Sequence, residues 1–332
     1  MNPQNEIPLP GLDGGTPLGF LAGLGVLRVL DRPEGRRPGD EPRLSWRLED
    51  RWHPVVHGIE GDLETIVQHV TRDAEAWENA PVLRFRYPKR EKRGVKRVGA
   101  LAAPVAVYRA WLRSRLDAGD LETLEYAAAL AFEAANEPNN KEGVTKEELR
   151  AHDVLYDDAA PVDRSTLPTA FDFTSRNAQF LEQVEEIRKT LDAGSILDTL
   201  RDGASDPRAA KTLDWDPAAD APGAIYAGRL VRLRPAAEWL AFRGLPFFPV
   251  AGRGEVLRTT ACRGRRKAGK FIWPLWEVPA TSATIASLLR SPGIDALGPA
   301  ARQERGIVQV FRSQLTKKAD GYSGMFAPSE PV

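Results

Sequence analysis

Residues 18–30, LGFLAGLGVLRVL, carry a single charge, Arg28, in an otherwise apolar run. A bilayer needs about 20 such residues, so this run is too short to span one. The stretch ahead of it, MNPQNEIPLPGLDGG, has no Lys or Arg and contains Glu6 and Asp13. A secretory signal has the opposite charge at that place. The run is therefore expected to be a buried helix, and the rest of the chain has to be arranged around it. Thr16 is its predicted N-cap and Pro17 its first helical residue. Gly15, Gly19 and Gly23 repeat every four residues and would let another backbone lie close. They do not make a phosphate loop, because the GK[ST] ending is missing and Pro3, Pro8 and Pro10 interrupt any preceding strand.

Periodicity outlines the remainder. RLSWRLE alternates, with Leu44, Trp46 and Leu48 on one face, which predicts a half-buried strand. Residues 60–78 read as a helix, and PVLRFRY as a strand entering a basic segment. AVYRAWLRSRL and LETLEYAAALAFEAA read as two helices within 100–136. FTSRNAQFLEQVEEIRKTL reads as an amphipathic helix capped near Thr174 or Ser175. After Leu200 the composition shifts to DGASDPRAAKTLDWDPAADAPG, a linker or long loop. LPFFPV, VLRTTAC, KFIWPLW and GIVQVFR then predict strands, with short helices at 235–242 and 281–290. VLRTTAC and KFIWPLW flank RGRRKAG, so 256–276 is a candidate hairpin with a cationic tip. The expectation is an α+β protein: a helix-rich domain over 1–200, a linker over 201–223 and a strand-richer α+β domain over 224–332.

The chain carries 46 basic and 46 acidic residues, but its cations are not evenly spread. RFRYPKREKRGVKR holds Arg84, Arg86, Lys89, Arg90, Lys92, Arg93, Lys96 and Arg97 against Glu91 alone. Residues 256–270 hold Arg258, Arg263, Arg265, Arg266, Lys267 and Lys270 and no acid. Residues 113–164, by contrast, carry 13 acids and 6 bases. Concentrated like charges repel, and a nucleic-acid backbone relieves the repulsion by releasing its condensed counterions. The cations of 84–97, together with Arg263, Arg265, Arg266, Lys267 and Lys270, are thus nucleic-acid-binding candidates. Phe85 and Tyr87 are candidates for stacking an unpaired base. The same RFRY alternation fits a strand with both rings buried. A basic loop also fits plain solvation, or an adaptor that meets an acidic protein surface.

Catalytic groups are sparse. Cys262 is the one cysteine, which excludes an internal disulfide and a cysteine-rich zinc site and fits the cytoplasm. Its basic neighbours would lower its pKa. His53 and His57 in HPVVH have the spacing of a zinc helix, but Pro54 disfavours helix and the Glu of HExxH is absent. His152–Asp153, with Asp157 and Asp158 nearby, is an HD pair of the kind that holds a divalent ion in phosphohydrolases and nucleases. Completing it would require His53, His57 or His69, and Asp163. Asp172, Asp214 and Asp216 read as cap or turn aspartates. No cofactor and no resident metal is expected.

Several strings together resemble proteins associated with type I-G (formerly I-U) CRISPR systems. They are DGGTPLGFLAGLGVLRVLD, RLSWRLEDRWHPVVHG, FDFTSRNAQFLEQV, LDWDP, AAEWLAFRGLPFFPV, TTACRGR and FIWPLW. The resemblance implies a large-subunit-like or accessory component of the Cascade effector complex. Its partners would be guide RNA, target DNA, other effector subunits and the helicase–nuclease, with no membrane involved. In such machines guide pairing reads the target while protein grips backbone. The two basic segments would then do the gripping, and a partner would do the cutting.

Overall fold

The apolar run folds as the helix Pro17–Leu30, buried along nearly its whole surface. Thr16 caps it, its hydroxyl oxygen accepting from the Gly19 N–H at 3.1 Å, and Pro17 opens it. The structure is a computed structural model that describes residues 6–31, 39–91, 94–133, 144–174, 179–206, 211–217, 233–253, 256–264, 269–317 and 324–332. It is an α+β fold, with helices mostly in the N-terminal and middle parts and sheets concentrated toward the C-terminus.

The central helix lies against Pro235–Arg243, a second helix buried throughout. The close approach between these two helices falls on Gly25, which the glycine spacing did not single out. A Cβ at Gly25 would stand 1.7 Å from the Leu240 carbonyl oxygen. Of the expected glycines, Gly19 does meet backbone, that of Asp13, while Gly23 abuts the Trp46 indole. Residues from both sides of the 201–223 stretch thus share one hydrophobic core, running from Ile7 to Phe326.

A three-stranded antiparallel sheet flanks the central helix in the order Glu6–Pro8, Trp52–His57, Arg43–Leu48. Leu44 and Trp46 face the core as expected, but Leu48 is 57% exposed. It sits beside the hairpin turn, where the strand has run past the core. Leu44 also exchanges backbone hydrogen bonds with Ala280, both 2.9 Å, which ties this sheet to the C-terminal half. The main C-terminal sheet runs Cys262–Arg263, Lys270–Trp276, Ile307–Lys317 and Gly324–Phe326, with Glu330–Pro331 on Ile307–Lys317. Between the sheets and the helix stacks an aromatic cluster in which Phe20 lies 5.5 Å from Trp46 and 5.8 Å from Trp273. The indole N–H groups of Trp273 and Trp276 donate to the Gly14 and Leu44 carbonyls at 2.8 and 2.7 Å.

Several boundaries differ from the sequence reading, each for a local reason. PVLRFRY is not one strand: Pro81 starts a short helix, Pro81–Arg84, and strand begins only at Tyr87. LETLEYAAALAFEAA is helical over Leu121–Leu130, after which Ala131–Phe132 turns into a strand paired with Leu167–Pro168. LPFFPV makes a 3-10 turn at Leu245–Phe247 before the strand Val250–Arg253. Pro246 and Pro249 lack the N–H that a ladder requires. The helix Phe180–Lys189 is preceded by Gln179, not capped by Thr174. Thr174 donates to Asp172 at 2.5 Å in a turn, the role expected of that aspartate, and Ser175 lies outside the described residues. A further helix, Ala193–Asp202, has a capping box from Asp192 and Ser195. Among the described residues no helix is long and apolar enough to cross a membrane.

One buried carboxyl makes stability depend on pH. Glu238 is 2% exposed and accepts from the Thr212 hydroxyl at 2.6 Å and the Leu213 N–H at 3.0 Å. Burial, reinforced by Asp214 and Asp216 and opposed by those two hydrogen bonds, pushes its pKa up to about 8 from an ordinary 4.5. The folded state therefore holds a proton that the unfolded chain releases above about pH 4.5. Stability from this group is full below that pH and declines as pH rises toward 8, by about 1.4 kcal/mol per unit. Glu238→Gln keeps an acceptor and cannot ionise, so it is expected to stabilise the protein at pH 7.5 and flatten the pH 5–8 profile. Urea titrations at several pH values check this, and an unchanged profile contradicts it.

Candidate nucleic-acid interface

The first basic segment is itself a hairpin, Tyr87–Glu91 paired with Gly94–Val98. Its register sets Lys89 directly opposite Lys96, an arrangement that costs stability because like charges face each other across the ladder. Neither lysine makes an ion pair among the described residues. Arg90 bridges to Glu148 at 2.5 Å, and Arg97 donates to the His152 carbonyl. Lys92 and Arg93 lie outside the described residues.

The two proposed stacking rings are not available. Phe85 is 7% exposed and Tyr87 3%. Phe85 packs 4.6 Å from Trp111 and 6.4 Å from Tyr108, and the Tyr87 hydroxyl donates to the Ala102 carbonyl at 2.7 Å. Burial pushes the Tyr87 phenol well above its usual pKa. The alternation in RFRY therefore reflects packing, with both rings turned to the core. Arg84 and Arg86 are also partly committed. They reach the same carboxylate, Glu185, at 3.2 and 3.1 Å. Arg86 further donates to the Leu83 and Phe85 carbonyls.

These residues nonetheless meet at a concave surface. A cleft of about 410 Å³ is lined by Arg84, Arg86, Arg97 and Arg115, with Trp111 and Phe85 among its aromatic walls. Among the described residues Asp153 is the one acid on its lining. Trp111 and Arg115 come from the helix Val105–Asp117 and were missed by reading charge along the chain. The available signal was AVYRAWLRSRL, an arginine-rich helix with an unassigned tryptophan.

The second segment forms the expected hairpin only in part. Cys262 pairs with Phe271 and Arg263 with Lys270. Val256–Thr259 instead pairs with Val250–Arg253 as a separate two-stranded sheet. The chain leaves that strand through Ala261, whose φ is +61°, an uncommon conformation for a residue with a Cβ. Arg265, Arg266 and Lys267 lie outside the described residues. Arg263 is held by Asp295 at 2.8 Å, and Lys270 is exposed. A cleft of about 680 Å³ opens here, its wall including Arg258, Arg263, Arg290 and Cys262. Burial raises the Cys262 thiol pKa, so the basic neighbours do not make it a thiolate, contrary to the sequence expectation.

The metal candidates do not assemble. His53 and His57 lie on a strand, which spaces them about 13 Å apart, too far to share one ion. The His57 ring sits 2.8 Å from the Ser45 hydroxyl, and burial lowers its pKa. Asp157 pairs with Arg113 at 3.1 Å, and Asp158 lies 3.6 Å from Lys146 and 3.7 Å from Arg150. Asp153 adopts φ +50° just after the helix Lys146–Ala151. Among the described residues no group of three or more His, Cys, Asp or Glu is placed to hold a metal ion. Asp214, at φ +62°, and Asp216, paired with Arg234 at 2.8 Å, occupy the turn beside Glu238.

Fold and geometry together define an α+β protein with two arginine-lined clefts, each beside one of the basic segments. No protein-family model matches the chain, and no curated protein matches it.

Proposed function

We propose that the protein is a cytoplasmic nucleic-acid-binding subunit of a type I-G CRISPR effector complex. It grips DNA or guide-RNA backbone, helps recruit the helicase–nuclease, and leaves bond cleavage to that partner. The observation that carries the reading is the cross-strand Lys89–Lys96 pair, next to a cleft with four arginines and one acid among the described residues. This hairpin holds cations together without local neutralisation of the two lysines, and a phosphate polymer supplies what is missing. The family strings add support from sequence.

Purified alone or within its assembly, the protein is expected to bind labelled DNA or RNA at low ionic strength. With about six phosphates contacted on duplex DNA, log affinity should fall with log salt at a slope near −5. Reversing Lys89, Arg90 and Lys96 to Glu should lower affinity about 100-fold or more and flatten that slope by about 3. Arg72→Glu, at an exposed arginine on the helix Leu63–Ala76, is the control and should change affinity less than threefold, as a rough bound. Glu122 and Glu125 do not serve as neutral controls, since they hold Arg243 and Arg28. Absence of binding to every strand type by the intact assembly at low salt removes the proposal.

A further inference from the structure

We infer that the 410 Å³ cleft takes one unpaired nucleotide of a single-stranded nucleic acid, with Trp111 as its stacking face. The inference rests on the nucleic-acid reading and goes beyond it, because it selects single strands over duplex at this place.

Three observations converge. The first is size: 410 Å³ falls at the low end of small-ligand sites, about 300–1,000 Å³, suited to a nucleotide rather than to the flank of a duplex. The second is the wall. Trp111 is half-buried and rests on Phe85 at 4.6 Å and Tyr108 at 5.9 Å. Those contacts fix the indole, and part of it lines the cleft. No hydrogen bond engages its indole N–H among the described residues. A base within a duplex already has both faces stacked, whereas an unpaired base offers a face to an aromatic ring.

The third is charge. Arg84 and Arg86 share Glu185, and Arg86 also stands 4.0 Å from Glu182, so they are partly paired and serve the wall. Arg97 gives one N–H to the His152 carbonyl, and Arg115 stands 3.7 Å from Asp120. Each guanidinium has five N–H donors, which leaves both able to engage a phosphate. Phe85 and Tyr87, the rings closest to the cations in sequence, instead support Trp111 and the hairpin from below.

The test compares oligo(dT), oligo(rU) and a duplex of equal length, at one low salt concentration, by fluorescence anisotropy. Trp111→Ala should weaken binding to either single strand by about 5- to 100-fold and leave duplex affinity within about twofold. Trp111→Phe should keep most of the affinity, which separates a lost ring from a disturbed fold. Photocrosslinking of wild-type protein to an oligonucleotide carrying 5-iodouracil should place the adduct on the peptide containing Trp111. The relative losses on oligo(dT) and oligo(rU) tell which strand is the natural occupant. Equal losses on single strands and duplex, or adducts only elsewhere, overturn the stacking inference while nucleic-acid binding stands. A wild-type protein that binds none of the three, both alone and within the intact assembly, removes the underlying reading and this inference with it.

Discussion

Replacing Arg243 with alanine is expected to lower the unfolding free energy by about 3–5 kcal/mol, because it breaks a buried ion pair by removing one partner. Arg243 is 1% exposed and ends the helix Pro235–Arg243. It pairs with Asp73 at 2.8 Å and with Glu122 at 2.9 Å, and donates to the Tyr126 hydroxyl at 2.5 Å. Its guanidinium lies 4.1 Å from the Trp77 ring centroid. Burial opposes the charge, but Tyr126, Asp73 and Glu122 outweigh it and shift the pKa upward. The Asp73 side chain is wholly buried, so alanine at 243 removes the guanidinium that pairs with it at 2.8 Å. The melting temperature should fall by about 4–8 °C for a chain of this size. The double variant Arg243→Met with Asp73→Leu should recover much of the loss, since apolar replacements of buried pairs are often neutral. Denaturant unfolding of the variants decides the matter. A change under about 1 kcal/mol in Arg243→Ala would mean the pair is not the joint it looks to be.

Gly25→Ala carries the second large effect. The added Cβ would sit 1.7 Å from the Leu240 carbonyl oxygen and 2.5 Å from its carbon. Both belong to backbone, which cannot swing aside as a side chain does. A Cβ at Gly244 would likewise stand 2.6 Å from the Leu21 carbonyl oxygen, from the other direction. The two central helices would have to separate, and the loss should reach about 3 kcal/mol or more, the upper end for overpacking. Gly194→Ala is the matched contrast. Gly194 is exposed in the helix Ala193–Asp202, where alanine meets only Asp192 at 3.4 Å, and should stabilise by about 0.5–1 kcal/mol. Equal effects at the two positions would show that helix propensity, not the interhelical contact, sets the cost at Gly25.

The tryptophan-containing strings RLSWRLEDRWHPVVHG, LDWDP, AAEWLAFRGLPFFPV and FIWPLW contain much of the structural joinery. Trp46, Trp215, Trp239 and Trp273 are all fully buried, and AAEWLAFR supplies both Glu238 and Arg243. Residues 259–264 of TTACRGR are the exception, since they wall the larger cleft.

Elements with their own local signals were legible in the chain. The helix Pro17–Leu30 has an apolar run, a threonine cap and a proline start, all within a few residues. The charge of 84–97 is likewise a property of composition, independent of folding. Tertiary structure alone decided which face of RFRY meets the core, which arginines are spent on Glu185, and that Trp111 and Arg115 join Arg97 at one cleft. It also chose Gly25 over Gly19 and Gly23 as the meeting point of two helices. The physical reason is range: caps and periodicity act within one or two turns, whereas burial and ion pairing depend on partners about 100 residues away, as Arg84 and Glu185 are.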